Sequence, residues 1–189
     1  MKVRDSGMPE ETIWNNFFNP DFLLSELNID SNIIDLVEIG SGYGTFTIPT
    51  SKLIRGKLYA FDMEDQMIEN LNIKIQNLQI NNIFLEKRDI LVHTTGLLEN
   101  SIDYVMLFNI LHHEFPLDFI DEAYRILKPQ GKIGIIHWRS DIITPRGPDL
   151  NIRPKPEQII EWIDNFKFRI EKYPFFIEPY HFGLIISKI

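Results

Sequence analysis

The side chains able to do chemistry gather at the ends of apolar runs. In Val37-Glu38-Ile39-Gly40-Ser41-Gly42-Tyr43-Gly44-Thr45-Phe46 an acid stands just ahead of three alternating glycines. Glycines at that spacing let a backbone come very close to a ligand. A dinucleotide fingerprint needs its third glycine where Thr45 stands, and a phosphate-cradling P-loop needs a lysine after its last glycine. Neither is present, and Glu38 would repel a pyrophosphate. An acid here suits a ligand that carries an ammonium group. Asp62 closes the next apolar run, where a carboxylate can accept from both hydroxyls of a ribose. Asp89 closes the run after that, placed to accept from an adenine amino group. The three acids describe a seat for a nucleoside with a positively charged amino-acid appendage. The competing roles are helix caps for Asp62 and Asp89, a turn for Asn109 and packing for Met63.

Five histidines are the other candidates: His93, His112, His113, His137 and His181. His137 falls at the carboxyl end of the fifth strand, where open α/β sheets bind ligands. It is a candidate substrate contact or general base. His113 follows the fourth strand and is a candidate pocket residue, whereas His93 and His181 read as structural. His112-His113-Glu114 does not predict a metal, because adjacent histidines do not share a helix face as i and i+4 residues do. Arg139, Arg146, Arg153 and Lys155 form the one basic concentration. Arg139 and Arg146 could hold a carboxylate or phosphate of a substrate; otherwise this is a solvated loop with Asp141 and Asp149 as partners.

These residues must be positioned by a sequence of alternating strands and helices. Strands are expected over Ile33–Ile39, Lys57–Phe61, Ile83–Glu86, Ile102–Phe108 and Lys132–Trp138. Helices are expected over Thr45–Arg55, with Gly56 past its end, then Glu64–Gln76 and Leu117–Leu127. Lys128-Pro129-Gln130-Gly131 reads as a turn. Alternation of this length predicts a mostly parallel sheet covered on both faces. After a proline-punctuated loop, a helix over Glu157–Phe166 precedes two strands, Arg169–Ile177 and His181–Lys188. Only Glu178-Pro179-Tyr180 separates them, which permits a hairpin and forbids a parallel crossover. The last strand should therefore run antiparallel. Residues 8–27 read as two short helices interrupted at Asn19-Pro20. Their aromatic residues could form a lid over a pocket or a layer packed on the sheet.

The chain has 189 residues, 44% hydrophobic and 24% charged, suited to one domain with a sizeable core. With no cysteine, disulfides, thiolate nucleophiles and Cys-ligated metals are excluded. The N-terminal stretch lacks the apolar core of a signal peptide, and no run is long enough to span a membrane, so the cytoplasm is the expected location. A formal charge of -8 argues against a nucleic-acid partner. The chain is compatible with a homodimer.

From Ile33 to Lys188 the sequence resembles class I S-adenosylmethionine-dependent methyltransferases, in the small-molecule branch typified by ubiquinone and menaquinone biosynthesis enzymes. VEIGSGYG matches the first motif, YAFDMEDQMI the second-strand motif and KRDI the adenine-side motif. IDYVMLFNILHH matches the fourth strand and its exit, and AYRILKPQGKIGIIHW the approach to the fifth. The resemblance implies a Rossmann-like, seven-stranded sheet of order 3-2-1-4-5-7-6 with strand 7 antiparallel. Residues 1–30 would form a helical cap and 31–189 the catalytic core. It implies that Gly40, Ser41, Gly42 and Gly44 lie against the methionine part of S-adenosylmethionine, with Glu38 facing its amino group. Asp62 would hold the ribose beside Met63, Asp89 and Ile90 would border the base, and Asn109 would line the methionine side. Tyr43, Phe17 and Phe18 are candidates to face a sulfonium. The expected reaction is in-line methyl transfer to a small-molecule acceptor. Cytosine C5 methylation would need a cysteine, and Asn109-Ile110-Leu111-His112 lacks the Pro-Pro clamp of amino-methylating DNA enzymes. The alternatives are a non-catalytic cofactor-binding regulator and a nicotinamide-dependent oxidoreductase. Thr45 and the terminal hairpin disfavour the oxidoreductase.

Overall fold

A computed structural model describes residues 9–163 and 167–189. Seven strands form one sheet: β1 Leu36–Ile39, β2 Leu58–Asp62, β3 Ile83–Lys87, β4 Ile102–Phe108, β5 Leu127–Trp138, β6 Phe168–Ile177 and β7 His181–Lys188. Their order is β3-β2-β1-β4-β5-β7-β6. β1 to β5 run parallel, and β7 is antiparallel to both β5 and β6, so the expected order and the reversed last strand are both found.

The helices are α1 Glu11–Trp14, α2 Pro20–Glu26, α3 Thr47–Leu53, α4 Asp65–Asn77, α5 Ile90–His93, α6 Pro116–Ile126 and α7 Pro156–Trp162. Because side chains alternate across a strand, the central strands feed two cores. Val37, Ile39, Val105, Leu107, Ile133 and Ile135 pack with Phe119, Ile120 and Ala123 of α6. Leu36, Ala60, Tyr104, Met106, Ile136 and Trp138 pack with Trp14, Phe18, Leu23 and Leu24 on the other face. The Tyr104 hydroxyl donates to the Leu27 carbonyl at 2.7 Å, tying the end of α2 to the sheet.

Several expected boundaries move, each for a local reason. β1 begins at Leu36 because the Asp103 carboxylate takes the Ile34 and Asp35 amides instead of a neighbouring strand. Gly56 does not cap α3, whose C-cap is the extended Ile54. Gly56 instead lets the chain pass Ile34, whose carbonyl oxygen would lie 2.6 Å from an added Cβ. Pro49 sits in the first turn of α3, where its missing donor is tolerated. Lys128 to Gly131 belong to β5 rather than to a separate turn. The register against β4 is irregular there, and Gln130 takes a left-handed φ of 65°. The short α5 was not expected. α7 ends at Trp162, and the rest of the helix expected through Phe166 falls on residues 164–166, outside those described.

Candidate cofactor and acceptor site

The carboxyl ends of β1 to β5 open into a cavity of about 510 Å³. Glu38 occupies a position on β1 that an apolar residue would otherwise fill, and it is 2% exposed. Burial pushes its carboxyl up to about 8; the hydrogen bond from the Thr47 hydroxyl opposes this, and the nearby Asp62 adds to it. Beyond Ile39 the chain turns through Gly40, Gly42 and Gly44 at φ of 82°, 51° and 80°, where any side chain would be strained. Gly44 is also pressed against Leu71 of α4, whose Cδ1 would lie 2.4 Å from an added Cβ. Gly44 therefore turns the loop toward α3 and does not line the cavity, unlike Gly40, Ser41 and Gly42.

Two anchors hold the loop. The Phe61 carbonyl accepts from the Gly40 and Ser41 amides at 2.8 and 3.0 Å. Asp62 accepts from the Gly42 amide at 2.8 Å through one oxygen and from the Glu64 amide at 3.0 Å through the other. Asp62 thus fills the competing cap role at the turn into α4, and its carboxylate retains acceptor capacity on the cavity wall. Asp89 is likewise the N-cap of α5, accepting from the Leu91 amide at 3.1 Å, and it too lines the cavity with Ile90 and Met63.

Past β4 the wall changes character. Asn109 adopts a left-handed φ of 56° and donates its backbone N–H to the Ile136 carbonyl at 2.7 Å. It is a turn residue and a cavity residue at once. Both atoms of its side-chain amide are buried without a partner among the described residues, as are Ser41 Oγ and His112 Nδ1. Trp14, Phe46, Phe108, Phe119 and Trp138 supply the apolar wall, with His112 and His113 between them. Burial lowers His112 to about 4, helped by His113 and Arg153. Burial likewise holds His137 well below its usual value and His181 at about 3.

Other expected residues lie elsewhere. His137 is completely buried behind the wall, its ring centroid 5.5 Å from that of His112, and does not line the cavity. Arg139 pairs with Asp141 at 2.9 Å and lies over the Phe176 ring, and Arg146 is exposed; neither reaches the cavity. Arg153, by contrast, is buried and ties the loop together by donating to the carbonyls of Pro148 and Arg139 and to the Thr144 hydroxyl. Tyr43, Phe17 and Phe18 do not line the cavity either; Trp14 takes that place. No group of three or more metal-ligating side chains occurs among the described residues. Trp14, and His112 as anything but a metal ligand, are the cavity residues that sequence reasoning missed. The helical spacing of Trp14 with Phe17 and Phe18 carried a signal; His112 had only its position after the fourth strand.

The cradle fits S-adenosylmethionine. It offers a loop whose glycines hold left-handed backbone, a buried carboxyl beside it, carboxylates at the tips of β2 and β3, and unpartnered polar atoms on Ser41 and Asn109.

The methyltransferase domain family matches residues 37–135, just over half of the chain. A ubiquinone/menaquinone biosynthesis C-methyltransferase of Rickettsia typhi is 30% identical over 128 residues, 64% of this chain and 48% of that protein. An uncharacterized methyltransferase-like protein of Schizosaccharomyces pombe is 27% identical over 125 residues, 66% of this chain and 46% of that protein. The chain thus spans about half the length of these relatives. A SAM-dependent methyltransferase from Aquifex aeolicus superposes with a TM-score of 0.82 at 21% identity, covering 100% of this chain and 97% of that one. The strand order, the glycine loop with its acids and the family match agree: the chain belongs to the methyltransferase domain family.

Proposed function

We propose that the protein binds S-adenosylmethionine and transfers its methyl group to a small-molecule acceptor by in-line displacement. The supporting observation is the pairing of Glu38, buried and beside the glycine loop, with carboxylates at the tips of β2 and β3. Glu38 and the orphaned Ser41 and Asn109 atoms receive the amino-acid end, Asp62 the ribose, and Asp89 with Ile90 and Met63 the adenine. When bound, the cofactor supplies an electrophilic methyl on a sulfonium. The protein's own work is to align the acceptor with that methyl and to exclude water. Trp14, Phe108 and Trp138 line the cavity with apolar faces that disfavour water and favour a cation.

The N-terminal segment divides into two roles. α2 buries Leu23, Leu24 and Leu27 and is part of the core. α1 is held by contacts to the loop region and α4: Tyr43 donates to the Pro9 carbonyl at 3.1 Å, Thr45 donates to the Asn15 side chain at 2.9 Å, and Glu11 pairs with Lys74. With Trp14 on the cavity wall, α1 serves as the lid.

Calorimetric titration with S-adenosylhomocysteine and with NAD, followed by labelled methyl transfer into a metabolite extract, tests the reading. It predicts binding of the first ligand only, and a labelled product. Binding without any labelled product would point to a cofactor-binding regulator; binding of NAD alone would overturn the assignment.

A further inference from the structure

The acceptor end of the cavity carries no carboxylate; its wall past β4 and β5 is aromatic, with His112 and His113. His113 Nδ1 already accepts from the Phe115 amide at 3.3 Å, so its proton sits on Nε2 and this ring can only donate. His112 is the group with an uncommitted lone pair. Behind it, His137 Nδ1 lies 3.2 Å from the Trp138 carbonyl oxygen, which can only accept. The His137 proton is therefore on Nδ1 and its Nε2 is bare. That Nε2 and His112 Nδ1 are both buried without a partner among the described residues, on rings 5.5 Å apart in a T-shaped arrangement. A hydrogen bond from His112 Nδ1–H to His137 Nε2 would satisfy both atoms. Nδ1 is sealed from solvent, so the other edge of the His112 ring, bearing Nε2, meets the cavity.

We propose that His112 Nε2 takes the proton of an uncharged acceptor bearing an O–H or N–H, and that His137 acts as the positioning residue that fixes the His112 tautomer. This rests on the methyl-transfer reading above. The acceptor's lone pair forms the new bond to the methyl carbon, and the carbon–sulfur bond breaks with its electron pair on sulfur, leaving a neutral thioether. The acceptor's proton passes to His112 Nε2 and then to water. The titratable groups acting on His112 are His113, His137 and Arg153, and with burial they leave the ring neutral at neutral pH. A cationic acceptor would meet no carboxylate at this end, whereas a neutral hydrogen-bond donor meets an empty acceptor.

The test compares meta-nitrophenol with nitrobenzene, which differ only in the hydroxyl. Both quench the fluorescence of Trp14 and Trp138, and both are titrated at neutral pH with saturating S-adenosylhomocysteine. The hydroxyl should tighten binding about tenfold in the wild type, the size expected when a buried acceptor gains its partner. His112→Phe should reduce that preference to within about twofold without weakening nitrobenzene. His112→Gln, which keeps an acceptor oxygen, should retain part of it. Nitrogen NMR of the histidine rings should show His112 protonated on Nδ1 in the wild type and in His137→Gln, but not in His137→Leu. Equal affinity for the two compounds in the wild type, or a preference surviving His112→Phe, overturns the proposal. If His112→Phe does not fold, the wild-type pair, His112→Gln and the tautomer decide. Failure to bind S-adenosylhomocysteine instead overturns the methyl-transfer reading, while binding it without any hydroxyl preference overturns only the role of His112.

Discussion

The two ends of the cavity are built on opposite plans. Beyond β1, β2 and β3 each acid is already engaged: Glu38 with Thr47, Asp62 with the Gly42 and Glu64 amides, Asp89 with the Leu91 amide. Beyond β4 and β5 the His112 Nδ1, and behind the wall the His137 Nε2, stand buried with no partner among the described residues. Unmet buried polar groups destabilise a fold, and they persist where a ligand completes them. The first end is a preformed seat; the second derives its polarity from what it binds.

Asp62→Ala should have the largest effect. It removes the proposed ribose acceptor and leaves the Gly42 and Glu64 amides unpaired. S-adenosylhomocysteine affinity should fall about a hundredfold, or ~3 kcal/mol, in a calorimetric titration. His112→Phe, at the other end, should weaken the same ligand far less. Equal losses would erase the contrast between the two ends.

Leu24→Ala should destabilise the fold by about 2–5 kcal/mol in denaturant, since α2 belongs to the core. Glu11→Gln, in the partly exposed pair that holds α1, should change stability by less than ~1 kcal/mol yet speed ligand release. Stopped-flow release rates that match the wild type would remove α1 from the role of lid.

Proton traffic sharpens the contrast further. Glu38 is protonated in the fold up to about 8 and ionises near 4.5 when unfolded. Between those values the folded state holds the extra proton, so this residue makes stability decline as pH rises. An ammonium brought beside it favours the ionised form. Ligand binding near neutral pH should release up to about one proton, seen as a buffer-dependent enthalpy, and Glu38→Gln should abolish that release. The histidines act with the opposite sign. His112 and His181, at about 4 and 3, resist protons that the unfolded chain accepts below 6.5. Their contribution to stability is therefore full above 6.5 and is lost as pH falls toward those values. Denaturation midpoints followed through acid should show that loss, and His181→Phe should flatten it. The smallest effect should come from Arg139→Ala and Arg146→Ala, which should leave ligand affinity within about twofold because neither side chain reaches the cavity.

The sheet was legible because its signals are local. Apolar runs ending in Glu38-Ile39-Gly40, in Asp62 and in Asp89 mark strand tips, and the three-residue link at Glu178-Pro179-Tyr180 dictates a hairpin. The seat of acids was legible for the same reason: each acid lies at the end of its own strand. The acceptor end was legible only in part: His113 lines the cavity as expected, but His137 does not. His137 stands at the expected strand end, but alternation along β5 points it into the core with Phe182, while its neighbour Trp138 faces the cavity. Strand ends are readable from one sequence; which of two adjacent residues faces the opening depends on register. The basic loop misled for another reason. Arg153 is consumed by loop carbonyls and Arg139 by Asp141, so a concentration of charge in sequence became internal scaffolding in space.

The central claim is that the acids around the glycine loop form the seat for a cationic sulfonium nucleoside. A crystal structure of the protein soaked with S-adenosylhomocysteine tests it most directly. The account predicts ribose hydroxyls on Asp62, the adenine amino group on Asp89, and the amino-acid end between Glu38, Ser41 and Asn109. Density for the ligand elsewhere, with the Asp62 carboxylate still bound only to the Gly42 and Glu64 amides, would contradict it.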